Sequence, residues 1–364
     1  MAVALLVVAA ALAVTAGTTS KASAAPKLTK VTIQLKWFPQ AQFAGYYAAL
    51  DRGYYRAAGL DVTLKNGGTN IIPEQVVAQG TAQFGVDWLP SLLSARDSGT
   101  QLVNIAQVFA RSGMTQLTWK SSGITSVKQF KNKKIANWLG GNQYELFAAL
   151  NKYGMDGATN KGVTIVQQPF DMGLFLNHQV DSASAMTYNE LAQVLESKNP
   201  KTGKLFTLKD INVIKMQNVG TGMLEDGLFS TAKYLSNPAN DLIATKVIGA
   251  TLAGWIYCRD HVAACVQYTL KAGPTLPKGH QTWMMNEINK LIWPNTAGIG
   301  IMSKADYNRT ASIALKYGVI KHKASGAYRT DLAQAAVAGL KAQGMDVYGK
   351  SYKPITVKLT AGGK

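Results

Sequence analysis

The chain has 364 residues, room for about two domains at roughly 100–200 residues each. Hydrophobic residues make up 47% of it, which excludes wholesale disorder and supplies a sizeable core. Lys and Arg number 38 against 20 Asp and Glu, a net charge of +18, but the basic residues stand singly. The densest groups, Lys131 with Lys133 and Lys134 and then Lys321 with Lys323, are short and carry no interleaved aromatics. Composition therefore predicts a solvated basic surface and no nucleic-acid partner.

Residues 2–14 form an apolar run, followed by a polar stretch and the small-x-small triplet Ala22-Ser23-Ala24. That is the layout of a secretory signal, and it is shorter than the roughly 20 apolar residues a membrane span needs. The expectation is a signal peptide over 1–25, cleaved near Ala24, and a periplasmic or secreted mature chain. Strands are predicted at 31–35, 60–64, 84–86 and 102–108, with helices at 43–57, 73–78 and 89–96 between them. The alternation continues with strands at 134–136, 163–166 and 183–187 and helices at 144–152, 172–177 and 188–196. Strands separated by helices imply βαβ units and parallel sheets covered on both faces. Beyond Thr231 the pattern turns helical, at 238–258, 261–271, 280–291, 303–316 and 329–342. The outline is an α/β chain of two halves with a helical C-terminal part.

Only Cys258 and Cys265 are present, and the four His residues show no ligand spacing, so no metal is expected. On one continuous helix the two cysteines would lie about 10.5 Å apart, beyond the ~4.4–6.8 Å between Cα atoms that a disulfide tolerates. A bridge requires the helix to break at 259–261; otherwise both are buried thiols.

On open α/β sheets, ligands bind beyond the carboxyl ends of the strands. The residues there are Trp37, Gln40, Gln42 and Tyr46 after the first strand, and Asp87 and Trp88 after the third. Trp138, Gly140, Gly141 and Asn142 follow in the middle region, then Tyr188 and Glu190. Rings stack on flat rings, and amides and carboxylates fix heterocycle donors and acceptors, so this set fits a planar, polar, neutral or cationic small molecule. Each residue also has a local role open to it. Trp37 and Trp88 can fill the core, Asp87 can cap a helix, and Glu190 can sit in a first turn favoured by the helix dipole. Gly140-Gly141-Asn142 opens a helix where backbone N–H groups can cradle an anion, though without the spacing of a phosphate loop.

The motif Trp37-x-Pro39-Gln40-x-Gln42-x-x-Gly45-Tyr46-Tyr47, with Gly53-Tyr-Tyr55 and Gly59-Leu-Asp-Val62, resembles the NMT1/THI5-like family. So do Phe84-Gly-Val-Asp-Trp88, Met186-Thr-Tyr-Asn-Glu190 and Gly254-Trp-Ile-Tyr257. The resemblance implies a type II periplasmic-binding-protein fold: two α/β lobes, two crossover strands near 110–120 and 223–230, and a ligand clamped between. Lobe I is then discontinuous, 27–112 and 228–364, with 113–227 as lobe II. It implies a substrate-binding protein of an ABC importer, partnered by permease subunits, for a thiamine pyrimidine precursor or riboflavin; more distant relatives take nitrate or sulfonates, which keeps a small anion as an alternative. A second branch of the family comprises pyrimidine synthases that use pyridoxal phosphate and iron. Its block reads W-x-P-N-x-x-H-x-G, and here Gln40 and Phe43 hold the Asn and His positions, with no cysteine-rich run. The expectation is therefore a receptor with no catalytic residue and no cofactor. The ligand-binding set is Trp37, Gln40, Gln42, Tyr46, Asp87, Trp88, Trp138, Gly140, Gly141, Asn142, Tyr188 and Glu190.

Overall fold

The structure, a computed structural model, describes residues 27–364; the signal-peptide segment 1–25 lies outside them. Among the described residues ten strands follow one another: β1 (Thr29–Gln34), β2 (Leu60–Lys65), β3 (Phe84–Trp88), β4 (Leu102–Gln107), β5 (Met114–Trp119), β6 (Lys134–Asn137), β7 (Thr164–Gln167), β8 (Ser182–Met186), β9 (Ile211–Lys215) and β10 (Asp226–Thr231). They form two five-stranded sheets, in the orders β2-β1-β3-β10-β4 and β7-β6-β8-β5-β9. Helices flank each sheet, so β3, β4, β5 and β8 are buried along their whole length.

Neither sheet is wholly parallel, which corrects the expectation. β10 runs antiparallel to β3 and β4, and β5 runs antiparallel to β8 and β9. The cause is the path of the chain. It leaves the first sheet after β4, enters the second through β5, and returns through β10, so each entering strand is inserted between strands of the opposite direction. The segments expected as crossovers, near 110–120 and 223–230, contain β5 and most of β10, each an inner strand of its sheet. The backbone that connects the sheets is 108–113 and 220–225. A buried carboxylate ties these two connections together: Glu225 Oε1 accepts from the Gly113 and Met114 N–H groups at 2.7 and 3.1 Å.

The helix expected over 43–57 is split. Ala44–Asp51 and Tyr54–Ala57 are separate helices, with Gly53 between them at φ 72°, a left-handed conformation that glycine adopts without steric cost. The first of these packs on the long helix Pro238–Asp260 through a close approach of backbones. A Cβ at Gly254 would stand 2.0 Å from the Gly45 carbonyl oxygen, and one at Gly45 would stand 2.2 Å from the Trp255 ring. Gly254→Ala is therefore expected to force these helices apart at a cost of about 1–3 kcal/mol or more. Thermal unfolding should show a lower midpoint, and an unchanged midpoint would contradict this packing.

The helix Pro238–Asp260 ends at His261 (φ −131°, ψ 57°), and Val262–Ala272 starts a new one. The break brings the Cα atoms of Cys258 and Cys265 to 5.4 Å, and the two are bridged. After Asp331–Ala342 the chain has no further long element, and its last residues lie across both lobes. The Ile355 N–H donates to Asn286 Oδ1, while Leu359 packs on the second lobe and the Gly362 N–H donates to the Glu196 carbonyl. No helix among the described residues is long and apolar enough to cross a membrane.

Candidate functional site

The C-terminal ends of β1, β3, β6 and β8 meet where the two lobes face each other. Trp37, Gln40 and Gln42 follow β1, and Trp88 closes β3; Trp138 and Asn142 follow β6; Met186, Tyr188, Asn189 and Glu190 end β8 and start the next helix. With Lys36 they line one cavity whose free space is about 20 Å³. That is room for roughly one water. The lobes are thus closed on each other. Ser91 donates to the Gly141 carbonyl at 3.0 Å, the Trp283 indole N–H to the Thr187 carbonyl at 3.1 Å, and Asn189 Nδ2 to Gln40 Oε1 at 3.3 Å. Across the mouth, Phe170 of the second lobe meets the first-lobe rings of Phe38 edge-on at 5.7 Å and Trp37 at 6.5 Å between centroids.

The floor is a buried charged network. Asp226 Oδ1 accepts from Trp88 Nε1 at 2.9 Å and its Oδ2 accepts from Gln42 Nε2 at 2.8 Å, while Gln40 Nε2 donates to Gln42 Oε1 at 2.6 Å. Burial pushes the Asp226 carboxyl up to about 7, against the opposing pull of Gln42 and Lys36. Lys36 forms an ion pair with Asp87, and its ammonium lies 5.4 Å from the centre of the Trp88 ring. Burial lowers the affinity of Lys36 for its proton, but Asp87, Glu74 and Asp226 together hold it above its ordinary value. On the other wall Glu190 accepts from the Met186 N–H at 2.9 Å and from Asn189 Nδ2 at 2.8 Å. Burial pushes Glu190 up to about 8, so near neutral pH this carboxyl can hold a proton or release it to suit what it meets.

Comparison with known proteins places this architecture. Residues 40–264, more than half of the chain, match the family described as NMT1/THI5 like. The chain belongs to that family. It is 28% identical over 140 residues to a riboflavin-binding protein, RibY, from Chloroflexus aurantiacus, covering 37% of this chain and 40% of that one. It is 30% identical over 90 residues to a formylaminopyrimidine-binding protein from Halalkalibacterium halodurans, covering 25% and 27% respectively. The chain thus spans less than half the length of these relatives. Among solved structures, a periplasmic sulfonate-binding protein from Methylobacillus flagellatus superimposes with a TM-score of 0.62, over 92% of this chain and 100% of that one, at 14% identity. The two lobes are therefore the periplasmic-binding-protein fold.

Within this NMT1/THI5-like chain the residues singled out by sequence divide into two groups. Trp37, Gln40, Gln42, Trp88, Trp138, Asn142, Tyr188 and Glu190 share the cavity wall. Tyr46 does not reach it. Its ring lies in the core, edge-on to Trp255 at 6.3 Å, because its helix turns that face toward Pro238–Asp260. Asp87, Gly140 and Gly141 stand one layer away, around a separate 330 Å³ cavity with Glu74 and Tyr144. The anion cradle that Gly140-Gly141 offered as an alternative is already filled, since both N–H groups donate to Gln143 Oε1, at 3.2 and 2.8 Å. Sequence reading passed over Lys36 and Asp226, and it quoted Asn189 in the motif 186–190 without placing it in the binding set. Lys36 adjoins a quoted position, whereas Asp226 approaches from a strand far along the chain.

Proposed function

We propose that this chain is the exported substrate-binding component of an ABC importer, and that it clamps a planar nitrogen heterocycle between its lobes for delivery to permease subunits. The observation that carries this reading is the interlobe cavity, in which the rings of Trp37, Trp88, Trp138 and Tyr188 accompany Glu190 and a set of amides. Such walls stack on a flat ring and hydrogen-bond its edge. The names of the riboflavin-binding and formylaminopyrimidine-binding relatives support the same ligand class. With free space of about 20 Å³, entry requires the lobes to part about the connections at 108–113 and 220–225, then close again. The chemistry of the walls favours a heterocycle over a small anion: Glu190 lines the cavity, Asp226 stands behind Gln42 and Trp88, and Lys36, the one cation on the wall, is already paired with Asp87. It also favours binding over pyrimidine synthesis, because the position of the synthase histidine is occupied by the core residue Phe43.

Titration of the purified protein with riboflavin and with a formylaminopyrimidine, followed by Trp fluorescence, tests this proposal. One of the two is expected to perturb the emission at one site per chain, and silence toward both would count against it. The mouth gives a further expectation. Phe170→Ala removes the second-lobe ring from the aromatic closure, so dissociation of the bound heterocycle should speed up roughly 2–12-fold, in line with a loss of about 0.5–1.5 kcal/mol of ring contact. Stopped-flow release at the wild-type rate would remove Phe170 from the gate.

A further inference from the structure

Lys36 is the one cation on the wall of the interlobe cavity, and its side chain is buried. Burial works against its charge, but Asp87, Glu74 and Asp226 outweigh that penalty, so it remains an ammonium. An ammonium has three N–H donors and no acceptor. Asp87, which lines the neighbouring cavity with Glu74 and Tyr144, takes one of them, and the Trp88 ring lies with its centre 5.4 Å from the nitrogen. Among the described residues Nζ makes no second hydrogen bond. It stands where the lobes meet: a Cβ at Gly141 of the second lobe would lie 3.5 Å from it.

The polar atoms around it are engaged elsewhere. The indole N–H groups of Trp88 and Trp138 donate to Asp226 and to the Pro169 carbonyl, at 2.9 and 3.1 Å. Gln42 Oε1 accepts from Gln40 Nε2, and Gln40 Oε1 accepts from Asn189 Nδ2. Glu190 accepts from Asn189 Nδ2 and from the Met186 N–H, and Asn189 Oδ1 accepts from Gln193 Nε2. None of these oxygens bonds Lys36. A buried donor left unmatched is costly, so the acceptor that completes Lys36 has to arrive with the ligand.

We propose that Lys36 determines which heterocycles the cleft accepts: it donates to a hydrogen-bond acceptor on the ring edge, a ring nitrogen or a carbonyl oxygen, and turns away rings that carry a positive charge. This inference rests on the heterocycle reading above and adds to it the polarity and charge of the ligand. The ion pair sets the balance. Asp87 offsets the charge of Lys36, so a full anion gains little net attraction, while the N–H groups not used by Asp87 keep their direction toward a neutral acceptor. A cationic ring fares worse. The ammonium already lies within cation–π range of Trp88, so such a ring stacked on Trp88 is brought close to a like charge.

Calorimetric titration of the full chain near neutral pH tests this with riboflavin, with a formylaminopyrimidine and with proflavine, a flat tricyclic cation. The wild type is expected to capture one of the two neutral compounds and not proflavine. Lys36→Met and Asp87→Asn break the same ion pair, but only the first removes the donor. Lys36→Met should weaken capture of the neutral compound by roughly 10–150-fold, the span of one lost hydrogen bond to a charged group, and Asp87→Asn by several-fold less. If Lys36→Met does not fold because it leaves Asp87 without a partner, the double variant Lys36→Met/Asp87→Asn, which buries neither charge, is compared with Asp87→Asn and should show the same loss. Equal losses in Lys36→Met and Asp87→Asn, or capture of proflavine by the wild type as tight as that of the neutral compound, overturn this inference and leave the heterocycle reading standing. Silence of the wild type toward both neutral compounds overturns the two together.

Discussion

Glu190→Gln is expected to weaken capture of an amino-heterocycle by roughly 10–150-fold while making the protein more resistant to heat at alkaline pH. The first effect follows from the position of Glu190 on the cavity wall. Above about pH 8, where Glu190 is ionised, the carboxylate accepts from an exocyclic amine or a ring N–H, and charge-assisted bonds of this kind contribute about 1.5–3 kcal/mol. The second effect has its own sign. Burial raises the Glu190 carboxyl from 4.5 to about 8, so the fold favours its protonated form. The stability this brings is complete below about pH 4.5 and is lost as pH rises through 8, by an amount on the order of a few kcal/mol. Gln resembles the protonated carboxyl and does not ionise, so the variant should lose less stability than the wild type between pH 5 and 8.5. Calorimetry reads the binding and thermal unfolding at several pH values reads the stability. Unaltered affinity would remove Glu190 from the site, and parallel pH profiles would contradict its buried, protonated state.

Trp88→Ala should be the most damaging substitution at the site, because it strikes fold and binding together. The indole is 1% exposed, closes β3, and supplies one of the two side-chain hydrogen bonds to Asp226. Truncation opens a large cavity beneath the cleft, at about 3–5 kcal/mol, and leaves a buried carboxylate short of a donor. Trp88→Phe is the informative companion. It keeps a ring for stacking and most of the volume, and removes only the N–H that holds Asp226. A milder loss of stability is expected, with most of the heterocycle affinity retained. If Trp88→Ala bound the heterocycle at wild-type affinity, the stacking role assigned to Trp88 would be wrong.

Much of this architecture is visible in the amino-acid pattern, and the parts that are not share a cause. Alternating apolar residues, Val31 and Ile33 and then Leu60, Val62 and Leu64, mark β1 and β2, and the helical pattern after Thr231 marks the five long C-terminal helices, within a few residues of their observed ends. The strand-end rule then gathers Trp37, Gln40, Gln42, Trp88, Trp138, Asn142, Tyr188 and Glu190 at one place. The antiparallel insertions escaped because β5 and β10 owe their role to partners distant in sequence: Met114 pairs with Met186, and Asp226 with Trp88. Asp226 was missed for the same reason, since its bond to Gln42 spans 184 positions. Tyr46 failed in the opposite direction. It belongs to a family-like motif, but a motif records that a residue matters without saying whether it faces ligand or core.

The central claim is that the cleft is built for a planar heterocycle, and calorimetric titration of one purified sample with riboflavin, a formylaminopyrimidine, an alkanesulfonate and nitrate tests it most directly. We predict one-to-one binding of a heterocycle about a hundred-fold tighter than either anion, because four rings and the Glu190 carboxyl line the cavity and its cation is already paired. Tight binding of the sulfonate or nitrate, with neither heterocycle retained, would contradict it.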